Sequence, residues 1–547
     1  MVRGFVFMGV ASVVSAGFRL ALVGMLGVVT AACGSRGTVT FQIDAPLNSV
    51  LNPLTDRVTE YTIKRSDGML IGVASENPLR EGDLAVGALP EIATPTDLVI
   101  NVLSGSDLLG LGRVRDVTIM RGKQENLVIP LRRLLMTVGA SKAPEDPSGN
   151  LVAGQILDGA TLRNLSLATP DPTLPLPKLP DATTAAAATS DGRFLILGSA
   201  AGLSVLDTST GMLSKSAQLP FTPARIAVGP RDSGVAVLDA AGGLYLFGSV
   251  AELVSSPTSA RPTHIDLGAS KPRRAAFAAD GASVYVLDGA GVDDPCIGPT
   301  PTANKVRSFG LDGSPGATFS LNGFASDLVV NPVTGQILIA DVTNKQVSAL
   351  NPAATATPAV KVLAATCPSA LSLVGNDLYV VTAEPSGELA NAYVMKRTTL
   401  GSGIVSSIAF PGPQLEIPTE QAMSTSNIRL SYQVQPSSLV GYELALTPDG
   451  TRAVFATRAL YRATKTPLTL LGIDCTADFD VVEYGVYQLD TRSGNSNYVS
   501  RSQIITRSAA NSVCITCPLD PVTDLVIACV PKPGDRASGL VALFGAP

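Results

Sequence analysis

One short pattern recurs along most of the chain and limits what the chain can fold into. Residues 188–197 (ATSDGRFLIL), 278–287 (AADGASVYVL) and 446–455 (LTPDGTRAVF) each carry an Asp-Gly pair followed by an apolar run. Looser copies stand at 229–237 (GPRDSGVAV), 331–339 (NPVTGQILI), 374–381 (VGNDLYVV) and 518–527 (PLDPVTDLVI). Each reads as a strand, a turn built on Asp, Gly or Pro, and a second apolar strand, which is a hairpin unit. A further element follows several hairpins: 203–211 (LSVLDTSTG), 305–313 (KVRSFGLDG) and 486–494 (VYQLDTRSG) read as a third strand closing into a turn before a fourth. One such unit cannot bury its own apolar faces, so neighbours must stack on one another. The composition suits a turn-rich chain, with 51 Gly, 39 Pro and only 16% charged residues in 547.

Seven hairpins at roughly 40–75-residue intervals, with four strands each, predict a seven-bladed β-propeller over residues 160–547. The pattern resembles the YVTN/WD40-like propellers of bacterial surface and periplasmic proteins. It lacks the Trp-Asp dipeptide, since the chain has no Trp. The last blade offers strands only at 514–517, 525–529 and 539–544, so one edge is left to be paired. The alternating segment 161–168 (TLRNLSLA) is the expected outer strand that closes the ring. The upstream runs 134–138 and 150–156 could instead build part of an eighth blade.

Residues 38–133 read as a separate small β domain. The segment 38–43 (TVTFQI) alternates, and 61–64 (YTIK) and 69–72 (MLIG) flank the turn Ser66-Asp67-Gly68. About seven strands in this span suit a β-sandwich of immunoglobulin or fibronectin type III shape. Residues 134–159 are then a linker or extra strands. The predicted class is all-β.

The N-terminus carries an address. Arg3 and Arg19 precede a thirteen-residue apolar run, 20–32, shorter than the roughly 20 residues a membrane span needs. It ends in Thr30-Ala31-Ala32-Cys33. This resembles the lipobox of bacterial lipoproteins, with Thr30 where Leu is usual. The resemblance implies a signal peptide over 1–32, a diacylglycerol on the Cys33 thiol and a tether over 33–37. Gly34, in place of the Asp that retains lipoproteins at the inner membrane, implies the outer membrane of a Gram-negative bacterium, facing either the periplasm or the cell surface.

Six further cysteines remain, Cys296, Cys367, Cys475, Cys514, Cys517 and Cys529. In an exported protein they are disulfide candidates, and spacing alone leaves their pairing open, with Cys296–Cys367 the simplest bridge. Cys514 and Cys517 form a CxxC, but Pro518 and Pro521 follow where a redox site needs a helix N-terminus. One His, His264, excludes multi-His zinc sites and argues against a His-based triad, and it reads as a strand residue rather than a catalyst. A net charge of -5 excludes nucleic acid as a partner. Asp474, Asp478, Asp480 and Glu483 offer oxygen ligands around Cys475 but lack the spacing and central Gly of a calcium loop. No cofactor is expected, and a structural calcium is the weaker reading of that loop. Long insertions at 289–304, 410–442 and 457–480 fall on one propeller face, while turns on the other face are short. That face, with Asp293, Asp294, Asp474, Asp478 and Asp480, is the expected binding surface for a protein or glycan partner. The expected function is a non-catalytic binding or scaffold module tethered to the membrane. The alternative is an envelope propeller enzyme of the lactonase, hydrolase or lyase type.

Overall fold

The computed structural model describes residues 37–507 and 540–543 apart from gaps, the longer being 75–82, 140–154, 290–303, 411–428 and 467–476. Within 160–184 it places Leu165, Leu176 and Thr183. The described chain is all-β in character, with strands gathered into several four-stranded sheets.

The N-terminal unit holds β1 (Gly37–Asp44), β2 (Glu60–Arg65), β3 (Leu70–Ala74), β4 (Asp83–Leu89), β5 (Ile92–Ser104), β6 (Asp107–Ile119) and β7 (Gln124–Arg133). Their order is β3-β2-β5-β6-β7-β1-β4, with β1 and β7 parallel. Alternation decides which face is buried: Tyr61 and Ile63 of β2 point inward, and their neighbours stay half exposed. The pairing of β6 with β7 is limited to Gly110↔Arg133, Leu111↔Arg132 and Gly112↔Leu131. A Cβ on Gly112 would lie 2.2 Å from the Ile129 side chain, so glycine permits this close crossing. Strands on both sides of the crossing fill one core, including Phe41, Ile63, Ile100, Val117 and Ile129.

Next come β8 (Leu135–Gly139) and β9 (Gln155–Asp158), and then five four-stranded sheets. The first is β10 (Ala185–Ala188), β11 (Phe194–Ser199), β12 (Gly202–Asp207) and β13 (Met212–Lys215). The second is β14 (Pro223–Val228), β15 (Val235–Asp239), β16 (Gly243–Phe247) and β17 (Thr263–Asp266). The third is β18 (Lys271–Phe277), β19 (Ser283–Gly289), β20 (Lys305–Gly310) and β21 (Pro315–Ser320). The fourth is β22 (Ala325–Val330), β23 (Ile337–Asp341), β24 (Gln346–Leu350) and β25 (Val360–Ala364). The fifth is β26 (Pro368–Val374), β27 (Asp377–Ser386), β28 (Leu389–Thr399) and β29 (Val405–Ala409). A sixth sheet has five strands: β30 (Arg429–Val434), β31 (Val440–Leu446), β32 (Arg452–Thr466), β33 (Ala477–Asp490) and β34 (Ser496–Arg507).

The repeated Asp-Gly pairs are the turns between first and second strands. Asp191, Asp280 and Asp449 each accept the backbone N–H two residues on, at 2.9, 2.9 and 3.2 Å. The following glycines, Gly192, Gly281 and Gly450, have φ of 70°, 71° and 67°, which a side chain would strain. Asp207, Asp312 and Asp490 repeat the device between third and fourth strands. Both kinds of turn meet at one end of each sheet, as where the Leu400 N–H donates to the Asn376 carbonyl. Ser233 Oγ donates to the Gly281 carbonyl and Tyr379 Oη to the Gly450 carbonyl, so turn ends of neighbouring sheets lie together.

The first strands touch in sequence, β10 to β14, β18, β22, β26 and β31. The last described strand, β35 (Leu540–Leu543), contacts both β31 and β10 and so completes a cycle. It pairs antiparallel with β8, Ala542 opposite Thr137, and β9 lies outside β8. Segment 161–168, expected to close the ring, lies outside the described residues apart from Leu165; the described strand that pairs with the C-terminal strand is Leu135–Gly139. The reason is local. Leu134 and Leu135 are fully buried with Leu108, Leu111, Leu195 and Leu197, so the chain leaving β7 is held against the first sheet. Arg133 then ties β7 to Asp158 at the end of β9, 2.5 Å away.

The insertion expected as a loop at 457–480 is corrected for its described residues, 457–466 and 477–480, which are strand. Strands β32 and β33 stay paired from Arg452↔Asp490 out to Lys465↔Ala477, fourteen rungs or about 45 Å. β31 covers the first part of this hairpin's edge and β30 the rest.

The N-terminal unit docks on the turn ends. Arg115 donates to Ser190 and Asp232 at 2.5 and 2.9 Å. Arg231 lies 3.7 Å from Asp97 and 3.6 Å from Asp116. At the other end of β6, Arg452 of the sixth sheet bonds Asp107 at 2.5 Å. Beside the Arg115 contact, burial and, less strongly, Arg115 push the Arg113 pKa down, opposed by Asp97, Asp232 and Asp191.

Candidate functional site

The sheet ends away from the turns share a backbone feature. Each first strand from the second to the sixth sheet has a register shift near its start, at Pro223/Arg225, Pro272/Arg274, Ala325/Leu328, Pro368/Ala370 and Gly441/Glu443. Pro223 and Pro368 open their strands and Pro272 is the second residue of its strand, positions near a strand start that proline tolerates. Such bulges redirect side chains, and here they do so at one rim of the cycle.

In the fourth sheet the shift carries Asp327, which is 7% exposed. Its Oδ2 accepts the Leu371 N–H of the fifth sheet at 2.8 Å, and Oδ1 lies 3.3 Å from Arg274 Nε of the third. One carboxylate therefore joins three sheets. Arg273, beside it, lies over the Phe324 ring at 4.4 Å. Arg307 bridges back to the second sheet, donating to Asp288 Oδ2 at 3.1 Å and to the Leu267 carbonyl at 3.2 Å. Among the described residues, Asp288 Oδ1 is buried with no hydrogen-bond partner. Asn304 is fully buried; its Nδ2 donates to the Ala325 carbonyl at 3.0 Å, and its Oδ1 has no hydrogen-bond partner among the described residues.

In the fifth sheet, Glu384 accepts the Thr366 N–H at 2.7 Å and meets Lys396 Nζ at 2.8 Å. Burial pushes this carboxyl up, but the hydrogen bonds from Lys396 and Thr366 outweigh that and hold it below the usual carboxylate range. The neighbouring Cys367 is 6% exposed and disulfide-bonded, with its N–H on Thr382 Oγ1 at 3.1 Å. The rim is thus built of arginines and carboxylates that hold one another, an arrangement suited to positioning a surface for contact. Among the described residues no three His, Cys, Asp or Glu side chains gather as metal ligands.

Of the residues singled out in the sequence, Asp293, Asp294, Asp474, Cys33, Cys296, Cys475, Cys514, Cys517 and Cys529 lie outside the described residues. Asp478 and Asp480 fall on β33, opposite Thr464 and Arg462, in the outer half of the long hairpin. His264 is exposed on β17 with its ring 4.4 Å from that of Tyr245, which stacks in turn on Phe221 at 4.1 Å. Sequence reasoning passed over Asp327 and Arg274. The available signal was a charged pair placed where an inner strand begins.

No protein-family model matches the chain, and no curated protein matches it. Solved structures do share features. Hydrazine synthase of Kuenenia stuttgartiensis is 13% identical, with a TM-score of 0.36 over 60% of this chain and 96% of that one. A structural genomics protein of unknown function from Bacteroides thetaiotaomicron VPI-5482 is 12% identical, with a TM-score of 0.35 over 72% and 87%. A chain of a mitotic checkpoint complex is 12% identical, with a TM-score of 0.35 over 55% and 80%. At these scores the likenesses carry no argument about activity.

Proposed function

We propose that the chain is an outer-membrane lipoprotein, acylated at Cys33, that acts as a non-catalytic binding module. In this reading the N-terminal unit is a β-sandwich and the six sheets with the β35-β8-β9 sheet are seven blades of a YVTN/WD40-like propeller. Cys296 is the disulfide partner assigned to Cys367. The observation that carries the reading is the asymmetry of the sheet ends. The N-terminal unit occupies turn ends of the first, second and sixth sheets through Arg115, Arg231 and Arg452. The bulged rim and the long β32–β33 hairpin stand at the other ends. The partner, a protein or glycan of the envelope, binds there, with Asp293, Asp294, Asp474, Asp478 and Asp480 contributing charge.

A photo-crosslinking residue placed at Asp478 or Asp480 in cells tests this against the same residue at Thr334, an exposed turn position of the fourth sheet. Adducts of one mass from the β33 positions and none from Thr334 are expected. Equal adducts from both would refute the reading.

A further inference from the structure

Three aromatic rings form a single stack on the flank of the second sheet. Tyr245 of β16 and His264 of β17 are directly opposite in the ladder, and their rings lie 4.4 Å apart at 21°. Phe221, which precedes β14, stacks on Tyr245 at 4.1 Å and 28°. Two rings this close occupy opposite faces of Tyr245, so the stack runs outward from Phe221 to His264. Phe221 and Tyr245 are half-buried against the apolar core shared with the first sheet, whereas His264 is exposed on the outermost strand. Gly243 gives the stack room: a Cβ there would lie 2.7 Å from Tyr245 Cε2 and 3.3 Å from its Oη. The phenol therefore leans along β16 towards the bulged rim, where Gly243 is opposite Asp266 and Pro223 opposite Asp239. Asp266 stands two positions from His264 on the same face of β17, about 7 Å along the strand.

Polar groups at the edge of this stack are open to a ligand. Among the described residues, neither imidazole nitrogen of His264 nor Tyr245 Oη has a hydrogen-bond partner. Asp266 is exposed and engages only Oδ1, which accepts the Gly268 N–H at 2.8 Å. Burial and, less strongly, the Asp239 and Asp266 carboxylates push the Tyr245 pKa up, so its hydroxyl stays protonated. A flat apolar face with polar groups at its edge matches a sugar ring, whose C–H face stacks while its hydroxyls radiate in the ring plane. An ionised carboxylate only accepts, so Asp266 needs the donors that hydroxyls supply. A cation would call for a carboxylate across the ring face instead of beside its edge. The two carboxylates and a net charge of -5 disfavour sugars carrying phosphate or uronate groups.

We infer that the Phe221–Tyr245–His264 stack is a subsite for a neutral saccharide, with a pyranose ring resting on the open face of His264 and its hydroxyls reaching Asp266. Tyr245 and Phe221 hold the imidazole plane in place from beneath. The inference rests on the reading of the chain as a binding module and names the chemistry that its partner presents.

The chain has one His, so its imidazole resonances need no assignment. Full-length protein labelled with carbon-13 in His, held in a detergent without sugar head groups, is titrated with chitohexaose, cellohexaose and mannohexaose. At least one of these should move the His264 signals saturably. Calorimetry with that sugar should show His264→Ala binding about tenfold more weakly, and His264→Phe, which keeps a flat ring, within about threefold of the parent. Signals unmoved by all three sugars would overturn the inference. Equal sugar binding by His264→Ala would also overturn it, because the sugar would then sit elsewhere. Signals moved by hexalysine and by no sugar would assign the stack to a cationic partner and overturn it too. Crosslinked adducts at Asp478 or Asp480 without any sugar effect at His264 would remove this subsite and leave the binding reading standing. Sugar binding at His264 without those adducts would keep the subsite and move the partner's contact away from β33.

Discussion

Arg133 offers the sharpest test of how the N-terminal unit is joined to the rest. Its side chain is 1% exposed and makes ion pairs at 2.6 Å with Asp56 and 2.5 Å with Asp158, the latter also 1% exposed. Nη2 adds a hydrogen bond to the Asn52 carbonyl at 2.9 Å. Arg133→Met keeps much of the volume and removes the charge, which leaves the Asp158 carboxylate buried and uncompensated. Breaking a buried pair from one side costs about 3–5 kcal/mol, whereas replacing both partners is close to neutral. Arg133→Met should therefore destabilise by about 3–5 kcal/mol, and adding Asp158→Asn should recover most of that loss. The assay is urea unfolding combined with hydrogen exchange at 135–139 and 155–158, because β8 and β9 are the strands this contact holds. A loss below about 1 kcal/mol, or a double variant worse than the single one, would refute the reasoning.

Other outcomes follow from the same structure. Gly281→Ala places a Cβ 2.4 Å from Ser233 Oγ at φ of 71°, and Gly335→Ala meets nothing within 4 Å at φ of 69°. Thermal unfolding should show both losing about 1–2 kcal/mol for the left-handed backbone, with Gly281→Ala the worse. Glu384 has its carboxyl held low in the fold. Its stabilising contribution is present above the unfolded carboxylate range and is lost as pH falls through the lower folded value, so Glu384→Gln should flatten the acid limb of a stability–pH curve. Arg115→Ala removes a pair whose partners are 32% and 19% exposed, and should cost less than about 1 kcal/mol, shrinking further in high salt. Asp232→Ala also releases the Ser190 N–H it accepts at 2.7 Å, and should cost about 1–2 kcal/mol in the same denaturation assay.

What the sequence revealed and concealed divides along the range of the interactions. The hairpins at 188–197, 278–287 and 446–455 were legible because Asp and Gly at adjacent positions encode a turn within a few residues. The outer part of the β32–β33 hairpin was not legible: residues 459–466 (ALYRATKT) lack clean alternation, and their distance from the Asp449-Gly450 turn suggested an insertion. The pairing of β8 with β35 was not legible. Two short apolar runs about 400 residues apart carry no local sign of each other, and 161–168 alternates just as well. Asp327 was hidden for a related reason, since it joins neighbours 53 and 44 positions away, Arg274 and Leu371.

The account's central structural claim is the closed cycle of sheets in which β35 pairs with β8, and cysteine pairing tests it most directly. Thr137 and Ala542 are opposite one another in the ladder. Directly opposed strand residues fall within the Cα separation a disulfide accepts. The variant Thr137→Cys/Ala542→Cys is compared under mild oxidation with Leu165→Cys/Ala542→Cys, which represents closure through 161–168. Peptide mapping by mass spectrometry should find the cross-link between positions 137 and 542 and none between 165 and 542. A bridge formed only by the 165–542 pair would contradict the account.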